Sequence, residues 1–241
     1  IITFYLLIEM GLTVFIDETD VTITKVMYWL DAVSVVALFA AFLVEFRRGY
    51  RYKGKLVLDR QKVIQRYHWL RIFLDVLTLV LIGLTLIPQF RLNPLRIIIL
   101  WRFYYLYRTD QSYFRLVHNK TGWYVFYTFF KMLLIFYLFC HYTGCLYYWI
   151  DYYIHATNYY GPGQVTMMWT EYIYLWSPIL AEPWYLQYMY TMYYSVETFT
   201  TIAYGDNTPK NPLETIFVTV FLIASAVMLS YIIEEIVMLF Y

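Results

Sequence analysis

Long apolar stretches alternate with short polar ones along this chain, and the length of each apolar stretch sets the first expectation. A helix needs roughly 20 mostly apolar residues to cross a bilayer, and six segments approach that length. The first covers 1–16 and is followed by an acidic turn of Asp17, Glu18 and Asp20. The second runs from about Val26 to Phe46, and the third from about Tyr67 to Ile87, just before Pro88. The fourth starts near Pro94, a residue suited to the first turn of a helix, and carries Arg96, Arg102 and Arg108 through an aromatic and aliphatic stretch. The fifth runs from about Trp123 to Ile150 and the sixth from about Glu214 to the end. The connection between the last two is about 60 residues, too long for a plain loop. It contains its own apolar helical stretch, Trp184 to about Thr200. That stretch is short for a full crossing and is followed by polar residues, so it predicts a re-entrant helix. Gly161-Pro162-Gly163 predicts a turn, and no short-period repeat or phosphate-cradling glycine loop is present.

Composition agrees with a membrane protein: 61% of the 241 residues are hydrophobic, 23% aromatic and only 15% charged. A soluble domain carries about a quarter charged residues. Net charge is +1, which gives no reason to expect nucleic acid, so the position of the charges is the useful signal. Eight of the 18 Lys and Arg fall between Arg47 and Arg66, whereas no basic residue falls between Lys131 and Lys210. By the positive-inside rule the first region is cytoplasmic, the Gly161–Gly163 turn is outside, and both chain ends are inside. The chain starts with Ile and stops in an apolar run, so both ends are expected to be truncated. Cys140 and Cys145 lie five apart inside one apolar segment and are expected to be small buried hydrophobes rather than a disulfide or metal pair.

The most informative residues are Thr200-Thr201-Ile202-Ala203-Tyr204-Gly205-Asp206, directly after the re-entrant helix. They resemble the Thr-Val-Gly-Tyr-Gly filter of potassium channels, where main-chain carbonyls from four chains replace the hydration shell of the ion. The resemblance implies ion coordination by Thr201, Ile202, Ala203, Tyr204 and Gly205. It also implies a cost, because a Cβ held at positive φ, as Ala203 would have, is unfavourable by roughly 1–2 kcal/mol per chain. The departure touches a coordinating carbonyl and is expected to loosen potassium over sodium selectivity or to lower conductance. The helix dipole of the preceding segment would favour a cation at its carboxyl end.

The wider stretch YYSVETFTTIAYGD is similar to the pore of the bacterial proton-gated potassium channel. That likeness implies that Glu197 and Asp206 share a proton and brace the filter, with one pKa raised and the pair titrating as a unit. The plain alternative makes Asp206 a solvated charge at the mouth and Glu197 an incidental helix residue. Over the full chain, FRRGYRYKGKLVLD, LDVLTLVLIGLTLIP, HYTGCLYYWID and NPLETIF resemble the cyclic-nucleotide-binding-domain superfamily of six-helix channels, which includes plant inward rectifiers, ether-à-go-go and pacemaker channels. The implied fold is an all-α integral membrane protein with six transmembrane helices. Residues 1–117 would form a voltage-sensor-like four-helix domain, and 118–241 a pore domain with a pore helix at 184–200 and the filter at 201–205. Any cyclic nucleotide would act through a domain absent from these residues.

A sensor helix of this kind carries a basic residue at every third position, but Ile99 and Tyr105 leave two slots of the series 96, 99, 102, 105, 108 empty. Residues six apart point about 240° apart on an α-helix, so the three arginines share a face only in tighter 3₁₀ geometry. Asp75 matches the countercharge of the family, and the second helix adds only Asp31 and Glu45 near its ends. Voltage sensitivity is therefore expected to be weak. Ala224-Ser225-Ala226 stands where many channels have a hinge glycine, and His141 is expected to be a packing residue. Glu234 and Glu235 either draw cations to the inner mouth or sit at a solvated helix end.

The function expected is passive conduction by a homotetramer, or a heteromer with related subunits, embedded in lipid, with potassium ions in the pore as the only bound species and no enzyme chemistry. The plasma membrane is the expected location. Two alternatives remain open at this point: a less selective cation pore, and a channel-derived structural subunit that no longer conducts.

Overall fold

The computed structural model describes residues 2–13, 15, 21–45, 50–52, 55–57, 69–84, 103–104, 106–107, 110, 121–157, 179 and 182–238. Among the described residues the regular elements are helices, apart from one small hairpin. They are α1 (Ile2–Leu12), α2 (Val21–Glu45), α3 (Trp69–Leu84), α4 (Thr121–Thr157), α5 (Trp184–Phe199) and α6 (Pro212–Met238). The hairpin pairs β1 (Tyr50–Tyr52) with β2 (Lys55–Val57), antiparallel, with Arg51 opposite Leu56. It lies in the basic connection that the sequence alone left without structure. Among the described residues three helices are long and apolar enough to cross a membrane, through Lys25–Val44, Gly122–Ile154 and Pro212–Met238, and Ile72–Leu84 is a shorter apolar helix. Arg96, Arg102, Arg108 and the Gly161–Gly163 turn lie outside the described residues.

The chain divides into two units, Ile1–Thr13 with Glu18–Arg108, and Val14–Asp17 with Thr109–Tyr241. In the first, α1 packs on α2 and α2 on α3. Large side chains such as Trp29, Val36 and Phe73 stay exposed, as expected of helices whose outer faces meet lipid. Its buried groups are unusually polar: Glu9 on α1, Asp31 on α2 and Asp75 on α3 are all nearly inaccessible. The Tyr5 hydroxyl donates to Asp31 Oδ1 at 3.0 Å.

In the second unit α4, α5 and α6 pack on one another. At 16 residues, α5 is about 24 Å long at 1.5 Å per residue, short of a hydrocarbon core of about 30 Å. Its buried residues join two clusters, the first of them largely aromatic. Cys145, Tyr147, Tyr148, Tyr194 and Phe221 form one, and Met132, Cys140, Phe199 and Ile232 the other. The Phe199 ring meets Phe136 and Phe139 at centroid distances of 4.9 and 5.3 Å. Both cysteines are free and buried.

The close seat of α5 depends on Gly144 in α4. A Cβ there would stand 2.9 Å from Ser195 Oγ and 3.2 Å from the Thr191 carbonyl oxygen. Polar ties join the same helices: His141 Nδ1 lies 2.9 Å from the Tyr188 hydroxyl, and the Tyr148 hydroxyl donates to Gln187 Oε1. Gln187 Nε2 in turn donates to the Glu182 carbonyl at 2.7 Å. His141 is fully buried and performs a packing and hydrogen-bonding task.

Helix α6 starts with a reciprocal cap. The Glu214 amide donates to Asn211 Oδ1 at 2.9 Å, and Glu214 Oε1 and Oε2 accept from Asn211 Nδ2 at 2.6 Å and from the Lys210 amide at 2.7 Å. Pro212 occupies the first turn, where its missing N–H costs nothing. These bonds satisfy amide donors that a helix start otherwise leaves open.

Candidate functional site

The segment that follows α5 departs from both helix and strand. Thr201 has φ 60°, Ala203 φ 44° and Gly205 φ 78°, while Ile202 and Tyr204 do not take positive φ. Every second residue is thus left-handed. In an ordinary strand successive peptide groups point to opposite sides; reversing the handedness at alternate residues rotates every second peptide, which is the condition for bringing successive carbonyls to one side. Glycine adopts such angles freely. Ala203 and Thr201 do so only under steric cost, which means that the surroundings hold them there.

Those surroundings lie on one side only. Ile202 is 56% exposed and Tyr204 71%, whereas Phe199 and Glu197, just before them, are 1% and 4% exposed. The Glu197 carbonyl accepts from the amides of Ile202 at 3.1 Å and Ala203 at 3.4 Å, folding the segment back on the end of α5. The Thr200 hydroxyl donates to the Val196 carbonyl at 2.8 Å and closes the last helical turn.

Glu197 and Asp206 are brought together, with Tyr193 beside them. The Tyr193 hydroxyl donates to Asp206 Oδ2 at 2.8 Å, and Asp206 Oδ1 accepts from the Asn207 amide at 3.0 Å. Glu197 Oε2 is buried and takes no hydrogen bond from the described residues. Burial, and then the neighbouring Asp206 carboxylate, push the Glu197 carboxyl above the usual glutamate range. The Tyr193 hydroxyl and the Tyr204 amide act in the opposite direction. Tyr193 was not singled out in the sequence, where it reads as one more aromatic of the apolar stretch.

These observations describe a short helix, a segment of alternating handedness and a second long apolar helix in succession. The family model that matches the chain covers residues 1–241 and describes an ion transport protein.

The chain belongs to the ion transport protein family. It is a transmembrane chain of the voltage-gated-type channel superfamily, and the family consists of ion channels rather than enzymes. A stretch of 134 residues, 56% of this chain, is 28% identical to the potassium channel AKT2/3 of Arabidopsis thaliana. That stretch is 15% of the plant protein, so the chain spans a small part of the relative it matches.

In the other unit Asp75 is buried on α3, with the Thr78 hydroxyl donating to its carbonyl at 2.9 Å. Sequence reasoning missed Glu9, whose lone acidic character inside the first apolar segment was the available signal. With Glu9, Asp31 and Asp75 there is, among the described residues, one buried carboxyl on each of α1, α2 and α3. On α6, Ser225 is buried and faces its own unit, Glu234 is exposed and Glu235 half-buried.

Proposed function

We propose that four copies surround an axis with Thr201, Ile202, Ala203, Tyr204 and Gly205 facing it, and that the assembly conducts potassium passively. The observation that carries this reading is the positive φ at residues 201, 203 and 205, directly after a buried re-entrant helix. Carbonyls turned to one side have no purpose in an isolated chain, but four such segments make rings that replace the water around a dehydrated ion. In this reading the chain has six crossings: α1, α2, α3, a fourth helix through Arg96, Arg102 and Arg108, α4 and α6. Glu197 and Asp206 brace the filter from behind. The buried Glu9, Asp31 and Asp75 serve as countercharges for the three arginines, whose sparse spacing keeps voltage sensitivity weak. The assembly is a homotetramer or a heteromer with related subunits, sits in lipid at the plasma membrane, binds potassium in the filter, and responds to cyclic nucleotide only through residues outside this chain.

The φ of 44° at Ala203 supports a second reading, a cation pore of reduced selectivity. Reconstitution of the full-length protein with opposed potassium and sodium gradients separates the two. A reversal potential near that of potassium supports the first reading, and one midway supports the second. Particle images showing single copies, with 201–205 against lipid or another protein, would overturn both and leave a structural subunit.

A further inference from the structure

The face that α4 leaves uncovered changes character along its length. Near its start Trp123, Val125, Phe126, Phe129 and Phe130 are exposed. Trp123 stands edge-on to Phe126 at a centroid distance of 6.4 Å, and Phe126 is tilted against Phe130 at 5.4 Å. Between Lys131 and Trp149 the large apolar side chains exposed on this helix are leucines, Leu133, Leu134 and Leu146. Beyond them Trp149, Tyr152 and Tyr153 are exposed, with Trp149 stacked on Tyr153 at 5.6 Å. An order of aromatic, leucine, aromatic is what a bilayer imposes, because amphipathic rings collect at its two boundaries while aliphatic side chains suit its middle.

Charge marks the same levels. Lys131 Nζ lies 3.4 Å from Asp110 Oδ2, with the two side chains 26% and 28% exposed, and the Tyr127 hydroxyl donates to Asp110 Oδ1 at 2.6 Å. A partly open ion pair is strongly disfavoured in hydrocarbon, so Lys131 marks one edge of the oily layer. From Lys131 to Trp149 is 18 residues, about 27 Å of helix, and to Tyr153 it is 22 residues, about 33 Å. A hydrocarbon core is about 30 Å thick. Helix α6 repeats the measure, since no charged residue falls between Glu214 and Glu234, which are 20 residues or about 30 Å apart. The Asp110 and Glu235 carboxylates both act on Tyr231 of α6, so the two helices set this edge at one level.

We propose that the hydrocarbon layer covers α4 from Lys131 to Trp149–Tyr153, and that the turns before Lys131 form an interfacial foot whose Trp123, Phe126 and Phe130 rings sit among the phospholipid headgroups of the adjoining leaflet. The ten residues from Thr121 to Phe130 carry no charge, so bulk water is a poor neighbour for their exposed rings. A helix of this composition gains most at the boundary of headgroups and acyl chains, where Trp and Phe enter the apolar side and hydroxyls stay wet. The foot requires only the membrane placement of α4 and stands whether or not the chain conducts.

The test uses the full-length protein reconstituted in phosphatidylcholine bilayers of increasing acyl length. Its thermal midpoint is expected to peak where the hydrocarbon is about 27–33 Å thick and to fall on either side, a measurement that needs no variant. A midpoint still rising above that range would overturn the proposal, because the whole apolar stretch Gly122–Ile154 would fill a layer of about 50 Å. The level of single residues is read with a nitroxide attached at Phe126→Cys, Leu133→Cys, Leu146→Cys or Tyr153→Cys, Cys140 and Cys145 being buried. Collisions with dissolved oxygen are expected to exceed those with a water-soluble nickel chelate at 133 and 146, and the two to approach parity at 126 and 153. An oxygen excess at 126 equal to that at 133 puts the foot in hydrocarbon, a nickel excess puts it in water, and exclusion of both reagents puts it under protein; each of these results overturns the proposal.

Discussion

The two sides of the segment 201–205 differ sharply in how they are held. Behind it, α5 is packed against α4 and α6 through two clusters of buried side chains, and Gly144 leaves no room for a Cβ. In front of it, Ile202 and Tyr204 are open. The strained angles at Thr201 and Ala203 are therefore maintained from the rear alone. Strain persists only where the surroundings over-determine it, so a densely built wall and a bare front go together: the wall fixes the backbone, and in the proposed reading the front is left for ions and neighbouring copies.

Perturbing the wall should cost most. Phe199→Ala removes a fully buried ring wedged between Phe136 and Phe139, and a loss of about 3–5 kcal/mol is expected, read as a lowered thermal midpoint of the purified protein. Tyr204→Ala on the open front should leave that midpoint almost unchanged while altering ion flux, and equal melting losses for the two would end the contrast. Gly144→Ala forces a Cβ to 2.9 Å from Ser195 Oγ. Overpacking of this kind costs roughly 1–3 kcal/mol, and Ser195→Ala in the same chain should recover part of it.

A smaller effect of opposite sign is expected at Ala203→Gly, which relieves strain of about 1–2 kcal/mol per chain. It should raise the melting midpoint and move the reversal potential toward that of potassium. Asn211→Ala removes the cap of α6 and should cost about 1 kcal/mol, with unchanged selectivity.

The smallest expected effect is in the pH profile. Because the Glu197 carboxyl is raised above the usual glutamate range, the folded protein keeps a proton that the unfolded chain has already released. The stability it supplies is complete below the ordinary glutamate pKa and lost as pH rises through the raised value. Glu197→Gln should flatten the melting profile across that window, and an unchanged profile would remove Glu197 from the account.

Much of this arrangement can be read from residue order. Hydropathy alone places a helix at 184–200, against Trp184–Phe199 in the structure, because its length and the polar residues after it are local properties. The likeness of residues 201–205 to a potassium-channel filter implies strain at Ala203, and its φ of 44° agrees. What escapes is whatever depends on contact between distant segments. The crossing read as ending near Ile150 belongs to a helix that runs on to Thr157, through an Asp151 that is buried. Gly144 looked like one glycine among nine, since only the approach of Ser195 gives it meaning. The Asn211-Pro212-Leu213-Glu214 cap is legible as a pattern, a capping residue with a glutamate three positions on. The hairpin at Tyr50–Val57 was hidden by the charge around it.

The 37 residues of α4 make a rod about 55 Å long at 1.5 Å per residue, while the oily layer it threads is about 30 Å thick. Even at a common tilt of about 20°, several turns must stand clear of the lipid. Gly144, where α5 makes its close approach, lies well along that rod, so a shift of the rod is felt directly by the helix that precedes residues 201–205.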